Sequence, residues 1–341
     1  MNSTGEQQQG RRLSVVVPMY NEADNVEPFL ERVHEGLRDY GAPWEVIMVD
    51  DGSRDETARR LHAEAARFGD HVRVVELMRN FGQTAAMQAG LDAARGEVIA
   101  TLDGDLQNDP ADIPAMVERL YADELDLVAG WRRNRQDALV MRKIPSRIAN
   151  RLIARTTGVH LHDYGCSLKV YRASVIKRVR LYGEMHRFIP AWMAMATSPA
   201  RIGEMVVNHN ARVHGESKYG ISRTFRVVLD LFAVAFFMRY RARPMHFFGS
   251  IGLAAGGIGG LILFYLGVLK FAFGESIGTR PLLLVGVVLV IAALQFLTTG
   301  VLAELMARTY FESTQRPPYL VREAARPPPS TEEGWYDGET A

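Results

Sequence analysis

Residues 98–110 read VIATLDGDLQNDP, a short apolar run followed at once by a cluster of oxygen-bearing side chains. The run VIAT is rich in β-branched residues and predicts a buried strand. Asp103, Asp105 and Gln107 follow it closely, and carboxylates so near to one another repel unless a positive charge lies between them. A solvated acidic loop would explain such a cluster. The alternative is a site for Mg²⁺ or Mn²⁺, which prefer carboxylate and amide oxygens.

Upstream of this stretch, short apolar runs alternate with amphipathic stretches. Strands are predicted within RLSVVVPMYNE, where the strand ends at the proline, and within WEVIMVDDGS, VRVVELMRN and EVIATLDGD. The helices between them are predicted at NVEPFLERVHEGLRDY, DETARRLHAEAARF and TAAMQAGLDAAR. Strands and helices that alternate at this spacing predict an α/β fold with a mostly parallel, doubly wound sheet. In such a sheet, ligands bind at the carboxyl ends of the strands.

The ends of the predicted strands carry a set of polar and turn-forming residues. They are Pro18, Tyr20, Asn21 and Glu22 after the first strand, Asp50, Asp51, Gly52 and Ser53 after the second, and Asn80 and Gly82 after the third. Turn chemistry alone explains one such strand end, but several around a common edge indicate a binding site. A dinucleotide site is disfavoured, because no G-x-G-x-x-G follows the first strand.

Two uncharged runs, residues 247–269 and 281–303, lie in the last third of the chain. Each exceeds the roughly 20 residues that a helix needs to cross a bilayer, and the glycines of the first suit close helix contact in lipid. They predict a transmembrane hairpin over residues 246–306. Arginines beyond both ends of the hairpin place both termini in the cytoplasm by the positive-inside rule. A pair of buried core helices is the alternative.

The other segments complete the predicted domain organisation. Residues 1–11 are predicted to be disordered and contain no apolar run typical of a signal peptide. The catalytic domain is predicted over residues 12–222. Residues 223–245 contain an apolar run too short to span a bilayer and bracketed by arginines, which predicts an interfacial helix, with a core helix as the alternative. The tail, residues 307–341, is predicted to be cytoplasmic and disordered at its end.

Composition narrows the function further. The chain has 341 residues and a net charge of +1, so nothing global indicates nucleic-acid binding. Its single cysteine, Cys166, excludes an internal disulfide and fits a reducing compartment. A packing role is predicted for this cysteine, because the sequence shows no His–Cys pair typical of a thiol nucleophile.

Taken together, the motifs VVVPMYNEADNV, VDDGSRDET, RNFGQTAAMQAG and LDGDLQNDP resemble those of the family 2 glycosyltransferases, which have the GT-A fold. The segments RRNRQD, NRLIARTTG, DYGCSLKVYR and GESKY most resemble the undecaprenyl-phosphate 4-deoxy-4-formamido-L-arabinose transferases, which belong to the polyprenyl-phosphate glycosyltransferases within that family. This group also includes dolichol-phosphate mannose synthase. The resemblance covers about residues 12–325. The acidic motif of the family is usually Asp-Ala-Asp, and Gly104 replaces the alanine here.

The resemblance implies a metal-dependent, inverting transfer from a nucleotide-sugar, with a UDP-sugar favoured, to polyprenyl phosphate. Asp103, Asp105 and Gln107 would hold Mg²⁺ or Mn²⁺ against the donor diphosphate. The strand-end residues from Pro18 to Gly82, together with Asp103, would hold the nucleotide-sugar. The product would serve cell-envelope glycans or lipid A modification. Relatives also imply a membrane protein that forms a homo-oligomer, a tetramer.

The acceptor is an anion, and the resemblance places basic residues near its phosphate. They are Arg132, Arg135, Arg212 and Lys218. Asp163 is the candidate general base, although relatives of the glucosyl type place an aspartate where this sequence has Ser167. A phosphate monoester is mostly dianionic at neutral pH and needs little deprotonation. Asp163 would in that case orient the acceptor or a basic partner.

Two other functions fit parts of the sequence. A processive polysaccharide synthase is disfavoured, because two spans are too few to build a channel and the sequence contains no Q-x-x-R-W. A catalytically inactive nucleotide-sugar-binding scaffold is disfavoured by the intact acidic cluster. The sequence leaves the transferred sugar, the prenyl length and the choice between UDP and GDP open.

Overall fold

The computed structural model describes residues 11–133, 153–155, 157–210, 236, 240 and 244–313. The chain divides into two compact units, Met1–Val234 with Pro317–Ala341, and Ala235–Arg316. The predicted phosphate-binding residues Arg135, Arg212 and Lys218 lie outside the described residues, as do most of the predicted interfacial helix and the tail from residue 314.

A seven-stranded sheet forms the centre of the first unit. Its strands are β1 (Leu13–Met19), β2 (Trp44–Asp50), β3 (Val72–Glu76), β4 (Val98–Thr101), β5 (Leu127–Trp131), β6 (Lys169–Arg172) and β7 (Ile202–Val206). Their spatial order is β3-β2-β1-β4-β6-β5-β7. Strand β6 runs antiparallel to its neighbours β4 and β5, and the other pairs are parallel. The prediction of a mostly parallel α/β sheet is confirmed.

Helices connect the parallel strands. They are α1 (Val26–Leu37), α2 (Thr57–Phe68), α3 (Gln83–Ala93) and α4 (Ile113–Ala122), followed by the short α5 (Ala173–Ile176) and α6 (Ile189–Met193). Helix α1 buries one face at the spacing of an amphipathic helix, with Val26, Phe29, Leu30, Val33 and Leu37 in the core. Helix α3 approaches the sheet closely at Gly90, where a Cβ atom would lie 2.2 Å from Val16 Cγ1.

Strand β1 contains a proline although it lies in the middle of the sheet. The carbonyl of Val16 accepts a hydrogen bond from the Leu102 N–H, so Val16 faces β4. Pro18 is two residues further along the strand, and its nitrogen therefore faces the same side. Strand β4 is paired with β1 only as far as Val16↔Thr101. Pro18 therefore lies beyond the last residue pair of the β1–β4 ladder. The N–H that proline lacks would have no partner in β4 there, so no sheet hydrogen bond is lost.

The carboxyl ends of six strands meet at one edge of the sheet. Strand β5 is parallel to β4, because both run antiparallel to the intervening β6. Strand β6 consequently begins at the edge where the other strands end. The loops after β1 to β5 and the start of β6 therefore lie along the same edge, as the sequence predicts for a ligand site.

The second unit is a pair of long apolar helices, α7 (Pro244–Phe273) and α8 (Pro281–Ser313). Both are long and apolar enough to cross a membrane. Large apolar side chains are exposed along them, for example Phe264 and Leu284, which disfavours the alternative of buried core helices. The helices meet through glycine: a Cβ atom on Gly259 would lie 2.9 Å from the Gly286 carbonyl oxygen. This contact agrees with the predicted hairpin.

Candidate active site

Two carboxylates fix the loop that follows β2. Asp50 accepts a hydrogen bond from the backbone N–H of Ser53 at 3.2 Å. Asp51 accepts from the N–H groups of Phe81 at 2.8 Å and Gly82 at 2.9 Å. Burial raises the pKa of both carboxyl groups. Asp51 therefore joins the loop after β2 to the loop after β3. The local sequence at the end of β2 does not reveal this contact with a distant loop.

Glycine permits a close contact between the same two loops. Gly52 has φ +66°, and a Cβ atom there would lie 2.3 Å from the carbonyl carbon of Arg79. Gly82, immediately before α3, has φ +96°. Both conformations favour glycine. The loop containing Asn80 is thereby held against the end of β2.

The loop after β1 is bonded to the loop after β2. The Asn21 N–H donates to Ser53 Oγ at 2.9 Å, and the Asn21 side-chain oxygen accepts from the Arg54 N–H at 2.9 Å. Asn21 adopts φ +54°, a conformation that asparagine tolerates better than most residues. The Glu22 N–H donates to Thr57 Oγ1 at 2.9 Å. These hydrogen bonds and the contact at Gly52 thus connect the three loops that carry the predicted nucleotide-binding residues of the first three strand ends.

The acidic loop after β4 lies beside this surface. Gln83, the first residue of α3, donates from Nε2 to Asp103 Oδ1 at 2.8 Å. The side chain of Asp105, which is mostly buried, accepts from the Gln107 N–H at 3.2 Å. Burial, together with the charge of Asp105, raises the pKa of Asp103 to about 6. The two carboxylates are therefore close enough to repel each other, as the sequence indicates.

The donor set fits a hard divalent cation. Within the ranges that the structure describes, no group of three or more His, Cys, Asp or Glu side chains is arranged to hold a metal ion. The metal ligands that the sequence predicts are two carboxylates, Asp103 and Asp105, and the Gln107 amide. Oxygen donors of this kind suit Mg²⁺ and Mn²⁺. At Gly104 a Cβ atom would lie 2.4 Å from Met19 Cε, so an alanine there would require the methionine to move.

Arg132 and Asp163 form a two-bond ion pair at the carboxyl end of β5. Arg132 Nε donates to Asp163 Oδ2 at 2.7 Å, and Arg132 Nη2 donates to Oδ1 at 3.0 Å. Their side chains are only 9% and 16% exposed. Burial opposes ionisation of Asp163, but the hydrogen bonds and charge of Arg132 outweigh it and lower the pKa of the carboxyl group. Asp163 is therefore ionised, with both oxygens bonded to arginine.

Two further residues beneath the site escaped the sequence analysis. Lys169 is buried at the start of β6, and its ammonium group donates to the Cys166 carbonyl; burial lowers the pKa of this lysine. Asn108 is buried and donates to Ser167 Oγ at 2.7 Å. Asn108 contacts a residue 59 positions further along the chain. Lys169 lies in a strand whose start was not predicted. No local pattern therefore marks either residue. Cys166 is also buried, which raises the pKa of its thiol and agrees with a packing role.

Most of the predicted site residues that the structure describes lie at the same edge of the sheet. The three loops after β1, β2 and β3 form one bonded surface, and the acidic loop meets it through Gln83. Arg132 and Asp163 lie at the carboxyl end of β5. The three bonded loops form a polar surface next to the acidic pair, Asp103 and Asp105, and the Arg132–Asp163 pair lies at the same edge of the sheet. This arrangement can hold a polyphosphate ligand against a cation.

Comparison with known proteins identifies relatives over nearly the whole chain. Residues 14–180 match the family described as Glycosyl transferase family 2. The chain is 60% identical over 323 residues to dodecaprenyl-phosphate galacturonate synthase of Rhizobium johnstonii, covering 95% of this chain and 96% of that protein. It is 38% identical over 320 residues to undecaprenyl-phosphate 4-deoxy-4-formamido-L-arabinose transferase of Pseudomonas aeruginosa, covering 93% of this chain and 91% of that protein.

Solved structures share the fold at lower identity. Glucosyl-3-phosphoglycerate synthase from Mycobacterium tuberculosis, in complex with Mn²⁺, UDP and glucosyl-3-phosphoglycerate, superposes with a TM-score of 0.51 at 20% identity. The match covers 66% of this chain and 80% of the mycobacterial chain. The shared part is the α/β fold.

Proposed function

Since the chain belongs to glycosyl transferase family 2, we propose that it transfers galacturonate from a nucleotide-sugar to polyprenyl phosphate. The observation that carries this proposal is the 60% identity, over 95% of the chain, to a protein named dodecaprenyl-phosphate galacturonate synthase. The relative named for 4-deoxy-4-formamido-L-arabinose is 38% identical, which makes that sugar the second candidate. An active enzyme is favoured over an inactive scaffold, because the acidic pair and the loops around it are intact.

On the donor side, we propose a UDP-sugar held by the connected loops after β1, β2 and β3. Asp50 and the Pro18–Glu22 loop would lie against the base and ribose. Asp103, Asp105 and Gln107 would hold Mg²⁺ or Mn²⁺. When bound, the cation would stabilise the negative charge on the diphosphate leaving group.

On the acceptor side, an oxygen of the lipid phosphate attacks the anomeric carbon of the sugar. The bond from that carbon to the diphosphate breaks, the nucleoside diphosphate leaves, and the configuration at the carbon inverts. Arg132 contributes positive charge near the attacking phosphate, with Arg135, Arg212 and Lys218 proposed to act beside it. Asp163 holds Arg132 in place, and the phosphate dianion attacks without a protein base.

The reaction is proposed to occur at the cytoplasmic face of the inner membrane. Helices α7 and α8 support this location, because both are long and apolar enough to span a bilayer. Both termini would be cytoplasmic, and the protein would act as a homo-oligomer, a tetramer by resemblance to relatives. The polyprenyl-monophosphate sugar would serve cell-envelope glycans or lipid A modification.

A donor screen tests the proposal. Purified full-length protein in detergent is incubated with polyprenyl phosphate, Mn²⁺ and one donor at a time, and the lipid product is identified by mass spectrometry. We expect a lipid-linked galacturonate from UDP-galacturonate and much less product from UDP-glucose, GDP-mannose or UDP-4-deoxy-4-formamido-L-arabinose. Preference for the formamido sugar would support the second candidate. Absence of transfer from every donor would contradict the proposed function.

A further inference from the structure

Asn108 is a buried polar residue that belongs to neither the proposed donor site nor the proposed acceptor site. It is 3% exposed and follows directly after Gln107 in the acidic loop. Its Nδ2 donates to Ser167 Oγ at 2.7 Å, and its Oδ1 accepts from the Cys166 thiol at 3.5 Å. Both ends of the side-chain amide are thus bonded to the segment that carries Asp163.

Ser167 completes this connection from the other side. The same hydroxyl oxygen also accepts a hydrogen bond from the Asp103 N–H at 3.3 Å. The backbone carbonyl of Ser167 accepts from Thr101 Oγ1 at 3.1 Å. One serine hydroxyl therefore contacts both the first residue of the acidic loop and Asn108 near its end. The loop that holds the predicted metal ligands is closed over this serine.

A second segment is attached to the acidic loop at the same place. The backbone of Asn108 forms an antiparallel bridge with His209. The Asn210 N–H donates to the Gln107 carbonyl at 2.8 Å. The residues after β7 are thus bonded to the backbone of a predicted metal ligand and of its neighbour.

The acidic loop is consequently the point at which the two segments meet. Cys166 and Ser167 are joined to the loop through the Asn108 side chain. His209 and Asn210 are joined to it through the backbone of Asn108 and Gln107. A buried amide that loses its partners leaves other polar groups unsatisfied, so the arrangement of the three segments is strongly specified. A shift of the acidic loop on binding a cation would be transmitted to both neighbours.

We propose that Asn108 is a positioning residue that couples cation binding at Asp103, Asp105 and Gln107 to the placement of residues 163–167. The proposal rests on the proposed metal site and acceptor site. Asn108 itself contacts neither the cation nor the sugar in this account. It sets where the Arg132–Asp163 pair lies relative to the donor.

Hydrogen–deuterium exchange of the full-length protein in detergent, with and without Mn²⁺ alone, tests the coupling. In the wild type, we expect Mn²⁺ to slow exchange in peptides that cover residues 103–109 and also in those that cover residues 161–168. In Asn108→Ala, the protection of 103–107 persists and that of 161–168 is lost. Ser167→Ala gives the same loss of protection at residues 161–168, and the double variant shows less than the sum of the two single effects, because the two residues share one hydrogen bond.

Kinetics supply a second readout. Asn108→Ala is expected to raise the KM for polyprenyl phosphate at least about tenfold, while the affinity for Mn²⁺ changes less than about threefold. Ser167→Thr keeps the hydroxyl and restores most of the lost coupling. The control is Gln88→Ala: Gln88 is also buried and accepts from the Leu181 N–H at 2.7 Å, but it lies on α3. This control loses thermal stability and keeps the Mn²⁺ response of residues 161–168.

Each outcome has a distinct meaning. Persistence of the protection of residues 161–168 in both Asn108→Ala and Ser167→Ala contradicts the coupling. So does a wild type in which Mn²⁺ protects residues 103–109 alone. If Mn²⁺ protects neither segment of the wild type, the metal assignment is overturned and the coupling with it. A wild type that shows the full exchange pattern but no sugar transfer overturns the proposed function and leaves the coupling supported.

Discussion

The Arg132–Asp163 pair constrains how the acceptor can be activated. A general base must offer an oxygen atom to the proton that it removes. Both oxygens of Asp163 instead accept hydrogen bonds from Arg132, at 2.7 Å and 3.0 Å. The arginine also lowers the pKa of the carboxyl group against the opposing effect of burial, which makes Asp163 a weaker base. The geometry therefore favours the role of orienting a basic partner over that of proton acceptor.

Replacing Asp163 separates these two roles. In Asp163→Asn, we expect the KM for polyprenyl phosphate to rise about tenfold or more, because Arg132 loses a charge-assisted contact worth about 1.5–3 kcal/mol. The activity of the wild type and that of Asp163→Asn should both fall as the pH drops through about 6, where the phosphate dianion of the acceptor disappears. Steady-state kinetics as a function of pH provide the measurement.

The matched control is Asp92→Asn, because Asp92 also accepts two hydrogen bonds from one arginine, Arg180, but at the exposed side of α3. This control should keep the wild-type KM. A loss of a thousandfold in kcat for Asp163→Asn, with a changed acid limb, would show instead that Asp163 carries the proton.

A contact between two histidines from different parts of the fold makes the stability of the domain depend on pH. His34 on α1 and His71 before β3 lie with their Nε2 atoms 2.7 Å apart. His34 Nδ1 bonds to the Leu30 carbonyl, which can only accept, so the neutral His34 ring accepts at Nε2 and His71 donates. Burial, followed by the neighbouring His34, lowers the pKa of His71 to about 4.

This histidine pair predicts a loss of stability in acid. The folded state holds His71 neutral, so its contribution is present above about pH 6.5 and is lost as the pH falls from 6.5 through about 4. From pH 7 to pH 5 the expected loss is up to about 2 kcal/mol. Thermal melting in detergent should show a smaller fall for His71→Phe than for the wild type. The exposed His160 provides the control, since His160→Phe should melt like the wild type at both pH values.

The transmembrane hairpin depends on close contact at one face of α7. A Cβ atom on Gly259 would lie 2.9 Å from the Gly286 carbonyl oxygen, whereas one on Gly260 would meet nothing within 4 Å. We expect Gly259→Leu to lower the melting temperature and Gly260→Leu, one residue away, to leave it unchanged or raise it, because leucine is the better helix former. Equal melting temperatures for the two variants would contradict the contact between the helices.

The sequence predicted the elements whose signal is local. Short apolar runs located β1 to β4, amphipathic stretches located the helices between them, and the glycine content of the first uncharged run indicated close helix contact there. The insertion of β6 between β4 and β5 carries no local signal, because the pairing joins residues about 70 positions apart. The same holds for the Arg132–Asp163 pair and for the bond from Asn108 to Ser167. Periodicity identifies which side chains face the core, but it does not show which distant loops meet.

For the whole molecule, the two units imply an enzyme held at the membrane. Helices α7 and α8 are long and apolar enough to span a bilayer, and insertion of this kind does not depend on surface charge. We expect the full-length protein to stay in the membrane fraction after washing with 1 M salt and to be released only by detergent. Salt screens surface electrostatics within a few Å at this concentration, so release by salt would show attachment by surface charge alone.

We propose that sugar transfer to polyprenyl phosphate requires the acidic pair, Asp103 and Asp105, at the carboxyl edge of the sheet. Asp105→Asn isolates the effect of the charge, because asparagine can still accept the Gln107 N–H but loses the charge that binds a cation. The control is Asp109→Asn in the same loop: Asp109 caps the backbone N–H of Ala111 at 3.0 Å, and asparagine caps equally well. The measurement is the rate of formation of polyprenyl-phosphate galacturonate from UDP-galacturonate with Mn²⁺. We predict that this rate falls at least about a hundredfold in Asp105→Asn and is unchanged in Asp109→Asn. The wild type should be inactive in EDTA. Wild-type rates from Asp105→Asn would show that the acidic pair is not required for transfer.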